Sequence, residues 1–163
     1  MNLFRFILYL STVFKITINL TNTHITFRII SSENILSIIP LLKKLSSEDV
    51  SEALLKERVL EMAQQNYECI GIYDGEKLMG ICGMWFQTRH YAGKSLEVDH
   101  VIIDDAYRSQ GIGNKLMEFV YDYAKKKTCK WVELNTYVSN FPSHKFYYNQ
   151  GFVAKGYHFI KPL

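Results

Sequence analysis

Apolar and polar residues alternate along residues 14–21, with Phe14, Ile16, Ile18 and Leu20 set against Lys15, Thr17, Asn19 and Thr21. A period of two places the two sets on opposite faces of a strand. The alternation returns at Ile25, Phe27 and Ile29 against His24, Thr26 and Arg28, which predicts the first strand of the main fold. The period then lengthens. Ser31, Ser32 and Glu33 supply capping residues for a helix carrying Ile35, Ile38, Ile39, Leu42 and Leu45, with Pro40 bending or interrupting it. A second helix over residues 48–65 gathers Val50, Leu54, Leu55, Val59 and Met62 on one face.

Two apolar runs over 68–73 and 77–86 are joined by Asp74-Gly75, a dipeptide that supplies the positive φ angles of a tight hairpin. A strand over 95–103 follows a polar loop. A glycine-containing turn at 108–113 then runs into a helix with Leu116, Met117, Val120 and Ala124 facing inward. Lys125, Lys126 and Lys127 in its last turn match the helix dipole. Residues 131–136 read as a strand, Pro142 starts a short helix that ends before Gly151, and 152–160 read as the final strand or strands. Strands alternating with helices, without repeat or linker, predict one α/β domain on a mixed sheet.

Length and composition narrow the classes. At 163 residues the chain suits one core, and 48% apolar with 21% charged residues excludes a disordered or coiled-coil chain. A net charge of +3 does not by itself imply nucleic-acid binding, and none is expected. Cys69, Cys82 and Cys129 form no CxxC pair and have no histidine at zinc-ligand spacing, so neither a disulfide framework nor a metal site is expected. They read as small buried thiols in strands, and reduced thiols fit a cytoplasmic protein. Residues 1–22 are strongly apolar. The longest uncharged stretch there, residues 6–14, falls short of the roughly 20 residues needed to cross a bilayer, so no stable membrane insertion is expected. An edge strand or appendage, a weak export signal and sequence upstream of the true start all remain open; the appendage is adopted here, leaving 23–163 as the domain.

The chemistry concentrates where the third long strand meets its helix: Glu97, Val98, Asp99, His100, Val101, Ile102 and Ile103, then Arg108-Ser109-Gln110-Gly111-Ile112-Gly113-Asn114. A helix start presents unpaired N–H groups and a partial positive charge, which together hold anions. Gly111 and Gly113 lack Cβ, so a phosphate can approach the main chain, and Arg108 and Lys115 add charge. Without Gly-Lys-Ser/Thr this is no Walker-type site. A dinucleotide fingerprint would need a third glycine where Leu116 stands.

With these residues the chain resembles the GCN5-related N-acetyltransferase (GNAT) superfamily, over about residues 23–160. One motif is Val101, Ile102 and Ile103 followed by Arg108 to Gly113. The other is Asn140-Phe141-Pro142-Ser143-His144-Lys145-Phe146-Tyr147-Tyr148-Asn149-Gln150-Gly151-Phe152, in which Ser143 replaces the usual alanine and Tyr148 the usual acidic residue. The resemblance implies a mostly antiparallel, mixed, twisted sheet with about four helices and a splay between its two central strands. It also implies an enzyme with acetyl-CoA as donor and an amine of a small molecule or peptide as acceptor, attacked directly in a ternary complex. A non-catalytic acyl-CoA-binding module is the alternative, and a homodimer is left open.

The implied cofactor contacts are the backbone from Gln110 through Gly111, Ile112 and Gly113 to Asn114 for the pyrophosphate, with Arg108 and Ser109 leading in. Val101, Ile102 and Ile103 form the edge for the pantetheine amides, Asn140 holds the same arm, and Tyr147 lies beside the sulfur as its acid. An amine near pKa ~10 must lose a proton before attack. Glu97 and Asp99 are the candidate bases. His100 is a third, expected to face the other way by the period of two. An N–H near Ile103 would face the oxyanion. Met84, Trp85, Phe86, Tyr91, Tyr137 and Tyr157 are candidate acceptor walls, and Glu48, Asp49 and Glu52 candidate cation attractors.

Overall fold

The computed structural model describes residues 16–20, 23–46 and 50–163. Six strands form one sheet in sequence order: β1 (Ile16–Leu20), β2 (Thr23–Ile29), β3 (Tyr67–Asp74), β4 (Lys77–Arg89), β5 (Gly93–Ile103) and β6 (Trp131–Leu134). All neighbours are antiparallel except β5 and β6, which run parallel. The helices are α1 (Ile39–Leu42), α2 (Glu52–Ala63), α3 (Ile112–Lys126) and α4 (Phe141–Asn149).

The alternation of side chains along each strand divides the core into two layers. Phe27, Ile70, Ile72, Met84, Leu96 and Val98 pack with Ile112, Leu116, Phe119 and Val120 of α3. On the opposite face Tyr67, Cys69, Ile81 and Ile102 meet Ile38, Leu41, Leu42, Leu55 and Val59. α3 forms because its apolar residues recur every three or four positions. Six of its side chains are buried, and the five larger ones, Ile112, Leu116, Met117, Phe119 and Val120, each contribute roughly 1.5–3 kcal/mol by leaving water.

Boundaries shift from the sequence reading for identifiable reasons. The Ser51 hydroxyl accepts from the Leu54 N–H at 3.2 Å and starts α2. A 3-10 stretch, Ser32–Ile38, precedes α1, whose Pro40 sits in the first turn where its missing N–H costs nothing. Leu45, assigned to the first helix's apolar face, lies beyond α1 and is exposed. Cys69 and Cys82 are buried in strands, whereas Cys129 lies outside any strand and is only half-buried.

Two corrections bear on the site. Residues 152–163 form no strand: Val153, Tyr157, Phe159 and Ile160 are exposed, and the segment gains no ladder of backbone hydrogen bonds. In consequence β6 ends the sheet, so the splay lies between β5 and an edge strand and not between two central ones. It is nonetheless present. The β5–β6 pairing runs only from Ser95↔Trp131 to Val98↔Leu134, and from Asp99 onward β5 has no partner on that side among the described residues.

A second irregularity sits at the same level. Across β4–β5, Met84 pairs with Val98 and Cys82 with Val101, so Gly83 stands opposite two residues, Asp99 and His100. Such a bulge reverses the side-chain parity. Leu96 and Val98 face α3 before it; Val101 and Ile103 face α3 after it, with Ile102 turned to the other layer.

Candidate active site

The donor side is built mainly from backbone. Gly111 caps α3 at φ 74°, and Ser109 is left-handed at φ 61°. Two left-handed residues flanking Gln110 turn successive N–H groups toward one side, and the first turn of α3 adds more. A Cβ on Gly111 would meet nothing within 4 Å, so the main chain there faces open space that a phosphate can enter. Gly113 serves another purpose: a Cβ would come within 3.2 Å of the Phe146 ring, so its bareness lets α4 pack against α3.

Side chains brace the turn. Arg108 donates from Nε to the Ile103 carbonyl at 3.1 Å and pairs with Asp105 at 2.8 Å. Gln110 donates to the Ala106 carbonyl at 3.2 Å. Ile112 is buried in the core beneath the turn. Asn114 accepts from Gln150 at 2.9 Å, tying the start of α3 to the end of α4. Asn140 uses its carbonyl oxygen to cap α4 through the Ser143 N–H at 3.3 Å, which leaves its NH2 group for a ligand.

Tyr147 lies half-buried between Phe146 and Phe152, with ring centroids at 5.2 and 5.7 Å. Its electrostatic neighbours are Tyr121 and Cys82, the latter being the register partner of Val101 on the unpaired stretch of β5. Burial pushes the phenol up to about 12, so it holds its proton throughout the neutral range. Among the described residues no hydrogen bond engages its hydroxyl.

The candidate acceptor side is built from side chains on the other face of the sheet. Glu97 accepts from Gln87 at 2.8 Å and from Asn135 at 2.6 Å. Its register partner Glu133 is paired with Arg89. Asp99 accepts from the Trp85 indole at 3.1 Å and from His100 Nδ1 at 3.3 Å. The bond from His100 holds the Asp99 carboxyl below its ordinary range; burial opposes this, and Trp85 reinforces it. His100 Nε2 lies 2.8 Å from the Tyr67 hydroxyl. This corrects the expectation that His100 faces away from Asp99, because the bulge turns both residues toward Trp85.

Other expectations sort in the same way. Met84 is fully buried in the α3 layer and Phe86 faces it too, so neither walls the acceptor side. Trp85 does face that side. Tyr91, Tyr137 and Tyr157 are largely exposed, and Glu52 is engaged by Lys43 and Lys56. Glu48 and Asp49 lie outside the described residues. Lys127, at the C-terminal end of α3, pairs with Glu68 at 2.6 Å and sits over Phe86. That pair borders an open hollow of about 510 Å3 beside Lys94 and Gln65, lined by residues distinct from those of the Gly111 turn. Tyr67 and Gly83 were missed in the sequence. A glycine inside the apolar run Ile81-Cys82-Gly83-Met84 was a usable bulge signal.

A glycine-started helix beside an unpaired strand edge, with a protonated phenol nearby, suits a phosphate-bearing thioester. The profile of the Acetyltransferase (GNAT) family matches residues 36–152, a stretch that contains every one of these features. The chain belongs to that family. It is an acetyltransferase, and acetyl-CoA is its donor. The uncharacterized N-acetyltransferase YhdJ of Bacillus subtilis is 24% identical over 125 residues, covering 76% of this chain and 88% of that protein. The aminoalkylphosphonate N-acetyltransferase of Salmonella typhimurium is 24% identical over 95 residues, 58% of this chain and 61% of that one. Among solved structures, the aminoglycoside N-acetyltransferase AAC(6')-Iy in complex with CoA superposes with TM-score 0.75 at 14% identity, over 90% of this chain and 99% of that one. A possible acetyltransferase from Clostridium difficile 630 gives 0.74 at 16% identity, over 85% and 97%. These likenesses confirm the GNAT fold. Among the described residues no helix is long and apolar enough to cross a membrane.

Proposed function

We propose that this GNAT enzyme transfers the acetyl group to a primary amine of a small molecule or peptide, by direct attack with both substrates bound. The observation that carries the reading is the pair of groups flanking the splay: a protonated, half-buried Tyr147 on the α3 side and two carboxylates, Glu97 and Asp99, on the opposite face. Bound acetyl-CoA supplies a thioester carbonyl open to a nucleophile. The N–H groups from Gln110 to Asn114 hold its pyrophosphate, and Val101, Ile102 and Ile103 offer a sheet edge to its amides. The Ile103 carbonyl is already used by Arg108, so that edge is left chiefly with donors at its end. Asn140 contributes its NH2 group.

The carboxylates attract an ammonium and accept its proton, directly or through water, as the amine becomes a nucleophile. An N–H of β5 near Ile103 faces the oxygen as charge develops there. Tyr147 gives its proton to the departing sulfur. The overall balance is R–NH3+ plus acetyl thioester giving the amide, the free thiol and one proton. An acceptor such as an aminoglycoside or an aminoalkylphosphonate fits this chemistry, as does a lysine side chain. The test is thiol release from acetyl-CoA with a panel of such amines. Release with at least one supports the reading; tight CoA binding with no release for any amine overturns it.

A further inference from the structure

We infer that Asp99, not Glu97, is the carboxylate that receives the acceptor amine, and that Tyr67 and His100 are positioning residues that hold it; this rests on the acetyl-transfer reading above. Glu97 has both oxygens committed to amide donors, Oε2 to Gln87 and Oε1 to Asn135. It also lies within the paired stretch of β5 and β6. Asp99 is the first residue past the last rung, with a half-exposed side chain. Only its Oδ2 is engaged, by Trp85 and His100, so Oδ1 is free among the described residues for an ammonium.

The hold on Asp99 extends inward through His100. The imidazole is only 11% exposed and lies flat against Gly83, where a Cβ would come 2.4 Å from Cε1 and 2.5 Å from Nε2. Its ring sits 5.8 Å from that of Tyr67, which in turn packs 5.1 Å from Trp85. The Asp99 carboxylate can only accept, so the proton of the neutral ring is on Nδ1 and points at it. Nε2 is then the acceptor, and the Tyr67 hydroxyl, which burial keeps protonated, donates to it. Both ring nitrogens are thereby used, so His100 is not itself the base.

The test measures thiol release for the full chain, using putrescine, kanamycin, 2-aminoethylphosphonate and a lysine peptide, with CoA affinity by calorimetry as the folding control. Expected are a loss of about 100-fold in kcat/KM for Asp99→Asn and about 10-fold for His100→Ala, at unchanged CoA affinity. His100→Asn restores a donor to Asp99 and returns the rate to within about 3-fold of wild type. Equal impairment of both His100 variants, or a wild-type rate in Asp99→Asn, overturns the assignment. Nitrogen-15 spectra decide it without turnover: an Nδ1–H tautomer supports the arrangement, and an Nε2–H tautomer overturns it. Absence of thiol release from wild type, by contrast, defeats the acetyl-transfer reading while the tautomer still reports on the positioning.

Discussion

The two faces of the splay are made from different materials. On the α3 side the groups proposed to bind the donor are chiefly main-chain amides, oriented by Gly111, Ser109 and the first turn of a helix. On the opposite face they are side chains from three strands, brought together by a bulge: Tyr67 from β3, Trp85 from β4, Asp99 and His100 from β5. A backbone site depends on dihedral angles and on bare approach. A side-chain site depends on which partners the sheet sets side by side. The first is therefore sensitive to glycine replacement and tolerant elsewhere, and the second is sensitive to every member.

The largest effect expected from this contrast is at Gly111. Its replacement by valine puts a branched side chain at φ 74° and fills the open space above the turn. CoA affinity should drop by about 100-fold or more in calorimetry, because the strain and the lost phosphate contacts act together. Retained affinity would show that the amides there do not hold the donor.

Tyr147→Phe comes next. It should lower kcat by about 10- to 100-fold with little change in acetyl-CoA affinity. The sign of the pH effect follows from burial, which raises the phenol to about 12 and keeps the acid form present through the neutral and mildly alkaline range. Wild-type rates should accordingly show no falling alkaline limb from this group below about pH 11. A limb near pH 9 that vanishes in Tyr147→Phe would contradict the placement.

A milder effect is expected from Gly113→Ala. Phe146, met at 3.2 Å, must shift by a few tenths of an ångström. Urea unfolding should register a loss of about 1 kcal/mol, and CoA affinity should change only a few-fold. An effect as large as that at Gly111 would mean that the two glycines do the same job.

The smallest expected effect concerns acid stability. His100 holds Asp99 low; burial raises Glu133, and hydrogen bonds from Ser95 and Arg89 more than offset it. Lowered carboxylates contribute stability that is present above their unfolded pKa near ~4 and lost as pH falls through the folded value. The urea midpoint should therefore decline modestly between pH 5 and 3, and less in Asp99→Asn.

The same contrast explains what the sequence disclosed. Strand and helix periods are local, so β2 to β5, α3 and α4 were legible, as was the glycine-started turn proposed to hold an anion, because Gly111 and the helix it starts are neighbours in the chain. The Asn140–Tyr147 segment was legible through its motif. The Tyr67–His100–Asp99 arrangement was not. Tyr67 and His100 are 33 positions apart, and the parity that brings His100 to Asp99 depends on an unpaired residue opposite Gly83. Counting by twos through that point put His100 on the wrong face. The segment over 152–160 failed for a related reason: alternation describes a strand's faces, while a strand exists only where another edge accepts its hydrogen bonds.

The seam between α3 and α4 has a mechanical meaning. Gln150 grips Asn114 at 2.9 Å, and Phe146 leans on bare Gly113 next to the phosphate-facing turn. The helix that carries Tyr147 is thus braced on the very turn proposed to hold the far end of the donor. A short thioester without the nucleotide handle, such as acetyl-pantetheine, should forfeit turnover as well as affinity, since that turn is then left without its phosphates.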